Sequence, residues 1–230
     1  VLTLVSHDIR NPLAAVKMSI QVIKKSPGQT EKHRLILQKM TVSLERVDAM
    51  IQSLLDVARL RAVKPLPLDF QVCDLTVQIG EILEEMQPSD RDRLNFAANA
   101  PIWGTWSVSG IRRALENLIT TSIKYGAPQT QISVSLEQRG NRAILGVHNQ
   151  GPEIPPDEQL KLFSPFQRTA GSEKSDRKGW GLGLSLVKGT AESHGGTVRV
   201  ESGRGRGTKF ILDLPIREAK QKEVEKRASA

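Results

Sequence analysis

One cysteine and one tyrosine in 230 residues narrow what this chain can be before any pattern is sought. A lone Cys73 allows neither an intramolecular disulfide nor a cysteine-built metal site, which suits a reducing compartment. Its neighbourhood reads as a strand on which it is a small buried hydrophobe. Aromatic residues make up 4% of the chain, and its lysines and arginines are scattered, so the alternation of stacking rings and cations that carries nucleic acid is missing. No recognition-helix pattern replaces it. No apolar run approaches the roughly 20 residues that cross a bilayer, and no secretory leader is present. The expectation is a soluble, cytoplasmic segment that binds no nucleic acid and makes no membrane contact of its own.

What remains is an ordinary globular composition, with 38% apolar residues and 33 Lys and Arg against 25 Asp and Glu, a net charge of +8. That charge suits a phosphate-bearing ligand or an acidic partner as well as a polyanion, and does not choose among them. Ile9, Leu13, Val16, Ile20 and Ile23 form one helical stripe. Residues 31–62 carry Leu37, Leu44, Ile51 and Ala58 seven apart, with Met40, Val47 and Leu54 interleaved. Ser26-Pro27-Gly28 breaks the first helix and Thr30 can cap the second, so residues 1–62 read as an antiparallel helical hairpin. Two helices cannot cover both stripes, which makes a dimeric four-helix bundle the economical solution and a coiled-coil spacer the alternative.

Pro65 and Pro67 end the second helix in a linker at 63–67. Residues 68–216 then mix strands near 68–73, 93–98, 131–137, 142–149, 197–202 and 208–214 with helices near 74–86, 108–124 and 183–194, the pattern of an α/β sandwich domain. Residues 217–230 form a charged tail.

Two stretches carry chemistry. Ser6-His7-Asp8-Ile9-Arg10-Asn11-Pro12-Leu13 sets an imidazole beside a carboxylate near the start of the first helix, with His7 off the apolar stripe. An imidazole with its ordinary pKa of about 6.5 offers a neutral lone pair near neutrality, and Asp8 can take or orient the ring proton as that nitrogen attacks. A lone surface histidine is the bland alternative. Gly179-Trp180-Gly181-Leu182-Gly183-Leu184 opens an apolar helix and leaves unblocked amides at its N-terminus, a cradle for phosphate. It is neither a P-loop, since no Gly-Lys-Ser/Thr follows, nor a dinucleotide fingerprint, and by itself it is equally a surface loop.

Order along the chain decides between these alternatives. Between the two stretches lie Arg113-Ala-Leu-Glu-Asn117-Leu-Ile-Thr-Thr121-Ser-Ile-Lys124-Tyr125-Gly126, with Asn117, Thr121 and Lys124 on one helix face, then Val147-His-Asn149-Gln-Gly151-Pro-Glu153-Ile154-Pro, then Leu162-Phe163-Ser-Pro-Phe166-Gln-Arg168. His194-Gly195-Gly196 and two strands close the series. From residue 1 to near 215 the chain resembles the transmitter core of the sensor histidine kinases of bacterial two-component systems. In that family a dimerisation and phosphotransfer hairpin precedes an ATP-binding domain of the Bergerat (GHKL) type, shared with gyrase and heat-shock chaperones.

The resemblance implies a homodimer that phosphorylates His7 from Mg-ATP and passes the phosphoryl group to an aspartate of a response regulator receiver domain. It implies that His7 is the acceptor, that Asp8 takes its proton, and that Asn11 orients water when the partner is dephosphorylated. Pro12 would bend the helix below the acceptor. Asn117 and Thr121 would hold the metal beside the phosphates, Lys124 would meet phosphate as a point charge, and Tyr125 would lie against the adenine. Asn149, Gly151 and Ile154 would surround the purine. Gly179, Gly181, Leu182, Gly183 and Leu184 would cradle the phosphates, and Arg168, at the start of a lid over 167–182, would stabilise the transferring group.

The chain also departs from that family. Thr121 stands where an asparagine ligates magnesium, Asn149 where an aspartate accepts the adenine amino group, and Glu153 where a glycine lies. The acid ahead of the asparagine segment is absent, Trp103 to Ser107 standing in its neighbourhood. A neutral amide at Asn149 forfeits the charge assistance that roughly doubles such a hydrogen bond, Thr121 offers a weaker oxygen ligand, and Glu153 adds bulk and negative charge near the purine, so reduced nucleotide affinity is expected. A second implication therefore stays open: a degenerate kinase that holds nucleotide weakly or not at all and acts as a regulatory scaffold or phosphatase. Val1 lies six residues before His7, as though the chain were cut from a longer sensor.

Overall fold

The computed structural model describes residues 2–25, 30–61, 68–167 and 181–217, and the backbone alone at 2–9, 45–46, 49–50, 52–54 and 56–61. The chain forms two compact units, Val1–Ala58 and Arg59–Ala230.

The first unit is a helical hairpin of α1 (Leu2–Lys25) and α2 (Thr30–Arg61). Lys24 and Lys25 close α1, where positive charge complements the C-terminal end of the helix dipole. Pro12 sits inside α1 and removes one main-chain donor, yet the helix continues through it. Helix α2 begins at Thr30 itself, and Glu31 in its first turn accepts from Arg34 at 2.7 Å on an exposed face, a pair worth little in water. The heptad positions separate by burial: Val47 is buried, whereas Leu37, Leu44 and Ile51 on α2 and Leu13 and Ile20 on α1 remain about half exposed.

The second unit is a two-layer α/β sandwich. Its sheet has the order β2-β4-β5-β7-β6, built from β2 (Leu94–Ala98), β4 (Ile132–Arg139), β5 (Arg142–Asn149), β6 (Thr197–Gly203) and β7 (Gly207–Pro215). Strands β2 and β4 are parallel, and every other neighbouring pair is antiparallel. The helices are α3 (Leu75–Glu84), α4 (Pro88–Arg91), α5 (Val108–Tyr125), α6 (Pro156–Gln159) and α7 (Gly183–Ser193). Ile132, Val134 and Leu136 of β4 and Phe210, Leu212 and Leu214 of β7 alternate onto the face that carries α3, α5 and α7, and bury Ile79, Leu115, Leu118 and Val187 with them.

Two capping arrangements fix how the helices enter. Asp74 accepts from Thr76 N at 2.9 Å, capping α3, and from Ile102 N at 3.0 Å. Ser107 caps α5 by accepting from Gly110 N at 3.3 Å, while its own N–H donates to His194 Nε2 at 3.1 Å.

The structure amends the sequence reading at several places. Trp103–Trp106 is a strand, β3, which pairs antiparallel with β1 (Gln71–Asp74) in a separate two-stranded sheet, where no strand is expected. Strand β1 starts at Gln71 rather than near 68, α3 stops at Glu84, and α7 ends at Ser193 with His194 as its cap. Cys73 is half-buried on β1, packed against the core. Arg217, assigned by sequence to the tail, is tied into the domain: its carbonyl accepts from Thr105 N at 3.1 Å, and its guanidinium donates to His194 O at 3.2 Å and lies over the Phe70 ring.

Candidate functional site

The end of β5, the second half of α5 and the start of α7 converge. On α5, Asn117 and Thr121 stand four apart, and both are tied along the helix. Asn117 Nδ2 donates to Arg113 O at 2.7 Å, and Thr121 Oγ1 donates to Asn117 O at 2.7 Å. With its nitrogen committed, the Asn117 amide presents Oδ1 outward. That oxygen faces the N-terminus of α7, since a Cβ built on Gly183 would lie 2.6 Å from Asn117 Oδ1. Any side chain at Gly183 would displace the oxygen.

No side chain among the described residues caps α7 at Leu182, and its first turn holds no acid. Ser185 Oγ instead donates to Leu182 O at 2.7 Å. The first amides of α7 therefore keep their donors and the positive end of the helix dipole for an anion. Gly181 stands just before, at φ +67° and where a Cβ would collide with Gln167 O, a conformation and a proximity that only glycine tolerates. Gly181 O accepts from Phe166 N at 2.9 Å, which joins the two chain ends on either side of 168–180. Leu182 is buried and Leu184 is half-buried against the core.

Lys124 and Tyr125 end α5, with Lys124 Nζ 5.1 Å from the Tyr125 ring centroid. Asn149, at the end of β5, is buried, and its Nδ2 donates to Gln150 O at 3.1 Å. Cβ atoms built on Gly126 and on Gly151 would each lie 3.1 Å from that same Nδ2, so two glycines leave the amide room. Ile154 is fixed from both sides: its N–H donates to Ser202 Oγ at 3.0 Å and its carbonyl accepts from Gln159 Nε2 at 2.7 Å. Glu153 is exposed.

The structure thus brings together Asn117, Thr121, Gly181, Leu182, Gly183 and Leu184 at one end, and Asn149, Gly151 and Ile154 with the end of α5 at the other. Arg168 and Gly179 lie outside the described residues. So do the side chains of His7 and Asp8, whose backbone is in α1. Asn11 is exposed on α1, one residue before Pro12.

One polar group of this region escapes the sequence reading. Thr208 is buried directly across from Asn149 in the β5–β7 register and shares a hydrogen bond with Ser202 at 2.8 Å. Gly126 stops α5 with its N–H on Ser122 O at 2.8 Å. The glycine after Tyr125 was visible in the sequence, whereas nothing local marks Thr208.

Two titrations are shifted nearby. Burial holds the Glu116 carboxyl above its ordinary range, against the pull of Arg112 and with Glu85 adding to the rise. Burial likewise holds His194 below the ordinary imidazole range, opposed by its bond to Thr190 O and aided by the charge of Arg217.

Comparison with known proteins covers both units. Residues 107–218 match the family described as histidine kinase-, DNA gyrase B- and HSP90-like ATPase, and residues 1–63 match the His Kinase A (phospho-acceptor) domain. The chain is similar to the sensor-like histidine kinase SenX3 of Mycolicibacterium smegmatis, with 28% identity over 216 residues, 92% of this chain and 56% of that protein. It spans about half the length of the curated relatives of that kind. A solved structure of the mycobacterial sensor histidine kinase MprB shares 31% identity at a TM-score of 0.56, over 65% of this chain and 100% of that one. A histidine kinase, ThkA, solved in complex with the response regulator protein TrrA, shares the fold at 24% identity and a TM-score of 0.62, over 94% of this chain and 60% of that one.

Proposed function

Because the chain belongs to the sensor histidine kinases of two-component systems, we propose that it transfers the γ-phosphoryl group of ATP to His7 and passes it to an aspartate of a response regulator receiver domain. The observation that carries this reading is the Asn117 amide oxygen held, across the gap left by Gly183, toward the N-terminus of α7, which no side chain among the described residues caps. A fixed acceptor and a set of free amides at one place suit a polyphosphate and its counterion better than they suit a structural contact.

In this mechanism the chain supplies position more than covalent chemistry. The amides of Gly183 and Leu184 hold phosphate oxygens, Lys124 adds a point charge, and Tyr125 lies against the base, with Asn149, Gly151 and Ile154 around it. A ring nitrogen of His7 forms the new P–N bond as the bond from the γ-phosphorus to the bridging oxygen of ADP breaks, and the ring proton passes to Asp8. Arg168 stabilises the charge on the group in flight. The residues present also fit Mg2+: Asn117 Oδ1 is left as a ligand once Nδ2 is committed, and Thr121 Oγ1, its proton given to Asn117 O, keeps its lone pairs. Bound there, the ion neutralises phosphate charge.

The half-exposed seam of Leu37, Leu44 and Ile51 supports a homodimer through the hairpin, and exposed Asn11 suits a role in orienting water when the partner is dephosphorylated. No helix among the described residues is long and apolar enough to cross a membrane, and we place this part of the chain in the cytoplasm, where ATP and the receiver partner are found. One observation favours the second reading, a weakly binding scaffold or phosphatase: Asn149 meets the base as a neutral amide, one proton of which is already spent on Gln150 O.

Incubation with labelled Mg-ATP tests the proposal. An acid-labile, base-stable phosphoprotein is expected, lost in His7→Ala. Label that survives this substitution, or an acid-stable adduct, moves the acceptor elsewhere. A parent protein that takes no label but still strips phosphate from a receiver domain selects the second reading.

A further inference from the structure

We propose that Ser202, together with Gln159, is a positioning residue of the nucleotide site: its hydroxyl ties the segment 151–159 to the edge strand β6 and so sets how tightly the base is held, without touching the base itself. The inference rests on the reading of this chain as an ATP-binding kinase in which Asn149, Gly151 and Ile154 surround the purine.

Asn149, Thr208 and Ser202 stand side by side at one end of the sheet. Thr208 is the partner of Asn149 in the β5–β7 register and of Ser202 in the β6–β7 register, so the three form one row across these strands. Members of such a row share a face of the sheet. Asn149 and Thr208 are buried, and Ser202 is half-buried at the outer end of the row, on the strand that closes the sheet.

The segment that follows β5 is held at both ends of this row. A Cβ on Gly151 would lie 3.1 Å from both Asn149 Nδ2 and Tyr125 O, and three residues later Ile154 N donates to Ser202 Oγ at 3.0 Å. The segment therefore starts beside Asn149 and is anchored two strands away. Gln159 Nε2 completes the anchor by donating to Ile154 O at 2.7 Å and to Ser202 O at 3.3 Å. Each of these links to β6 depends on a side chain. A strand paired to β6 through its main chain would be indifferent to residue identity, whereas this anchor is not.

The same hydroxyl also reaches the row beneath. Ser202 Oγ lies 2.8 Å from Thr208 Oγ1 and donates to Gly207 O at 3.2 Å. Gly207 is at φ +70°, and a Cβ there would collide with Asn149 O, so the turn that receives this bond packs directly on the main chain of Asn149. One hydroxyl thus fixes the segment beside the base and the strand ends under it. Ser202→Ala leaves the Ile154 N–H and the Thr208 hydroxyl without this partner, and the nucleotide must then order the segment as it binds, which lowers affinity. Asn117 and Gly183, at the phosphate end, make none of these bonds, so transfer from bound ATP is unaffected.

Calorimetry with ATP on the full chain, with labelling of His7 across a range of ATP concentrations, tests this. Ser202→Ala should bind ATP about fivefold to tenfold more weakly, the range of one neutral hydrogen bond, at unchanged stoichiometry. Its KM for ATP should rise by the same factor while kcat stays within about twofold of the parent. Gln159→Met, which removes the other anchor at similar length, should shift affinity in the same direction and decides the matter if Ser202→Ala does not fold. Affinity and stoichiometry carry the test by themselves if the parent takes no label. A purely structural role lowers stoichiometry and kcat at the parent's affinity, and that result overturns the inference. Unchanged ATP affinity in both variants overturns it as well, while leaving ATP binding intact. A parent that binds no ATP overturns the ATP-binding reading itself, and the inference falls with it.

Discussion

Replacing His194 with phenylalanine removes both ring hydrogen bonds, of which the one to Ser107 N–H joins the end of α7 to the start of α5. In the parent, Nδ1 lies 2.8 Å from Thr190 O, and a carbonyl only accepts, so Nδ1 carries the proton. Nε2 is then the acceptor for Ser107 N–H at 3.1 Å, one residue before α5 begins. The ring is buried and meets Phe70 edge-on at 5.0 Å between centroids. His194→Phe keeps a ring for that packing and removes the acceptor, leaving the Ser107 N–H buried without a partner, at a cost of about 1–3 kcal/mol. At roughly 2–4 °C per kcal/mol for a domain of this size, a loss near 2 kcal/mol lowers Tm by about 4–8 °C.

The pH dependence gives the sharper test. The folded-state pKa of His194 is depressed, so the stability this neutral ring contributes is present above the unfolded value of about 6.5 and is lost as pH falls through the folded value. Within that window the unfolded chain binds the additional proton, and stability rises with pH. Melts followed by circular dichroism at pH 7.5 and 5.5 should show the parent losing more stability on acidification than His194→Phe. Identical pH dependence, or a variant that melts within 1 °C of the parent, refutes the assignment of Nε2 as the acceptor.

Gly183→Ala places a methyl 2.6 Å from Asn117 Oδ1, and ATP affinity measured by calorimetry should fall at least tenfold, while Tm changes little because alanine suits a first helical turn better than glycine. Leu44→Asp or Ile51→Asp, each half-exposed in one chain, should convert a dimer to a monomer in sedimentation, since the partner would otherwise bury an unpaired carboxylate; a parent already monomeric at micromolar concentration removes the basis for the bundle. Asn149→Asp should tighten ATP by up to about tenfold through a charged acceptor, yet lower the Tm of the empty protein, because the carboxylate then faces Gln150 O with no proton to offer it. Unchanged ATP affinity in that variant means the base is read elsewhere.

The elements legible in the sequence are those whose signal is local and long. Helix α5 carries an apolar stripe with a serine cap, β4 and β5 are eight-residue strands joined at Gly140 at φ +59°, and the glycines before α7 mark a helix start without knowledge of its neighbours. Strand β3 shows no alternation: Trp103-Gly104-Thr105-Trp106 is short, and its place comes from β1, from Asp74 reaching Ile102, and from Arg217 on its other edge. The site divides along the same line. Motif spacing names Asn117, Gly183 and Asn149 one by one, but that Gly183 clears space for Asn117, or that Asn149 lies opposite Thr208, follows from the register of elements distant in sequence. His194 stood out only as part of a His-Gly-Gly ending, and its bond to Ser107 is invisible without the fold.

The strand order also governs when this domain can fold. The last strand in the sequence order of this sheet, β7, sits inside it between β5 and β6, and its eight-residue ladder with β5 is a long-range pairing that no local hairpin can replace. Until residue 215 has been synthesised, β5 keeps a bare, apolar edge open to other chains, and the small sheet waits two residues longer for Arg217 to pair with Thr105. Nascent chains stalled before Gly207 would therefore hold a hairpin and helices but no closed core, and would be the species most prone to aggregate.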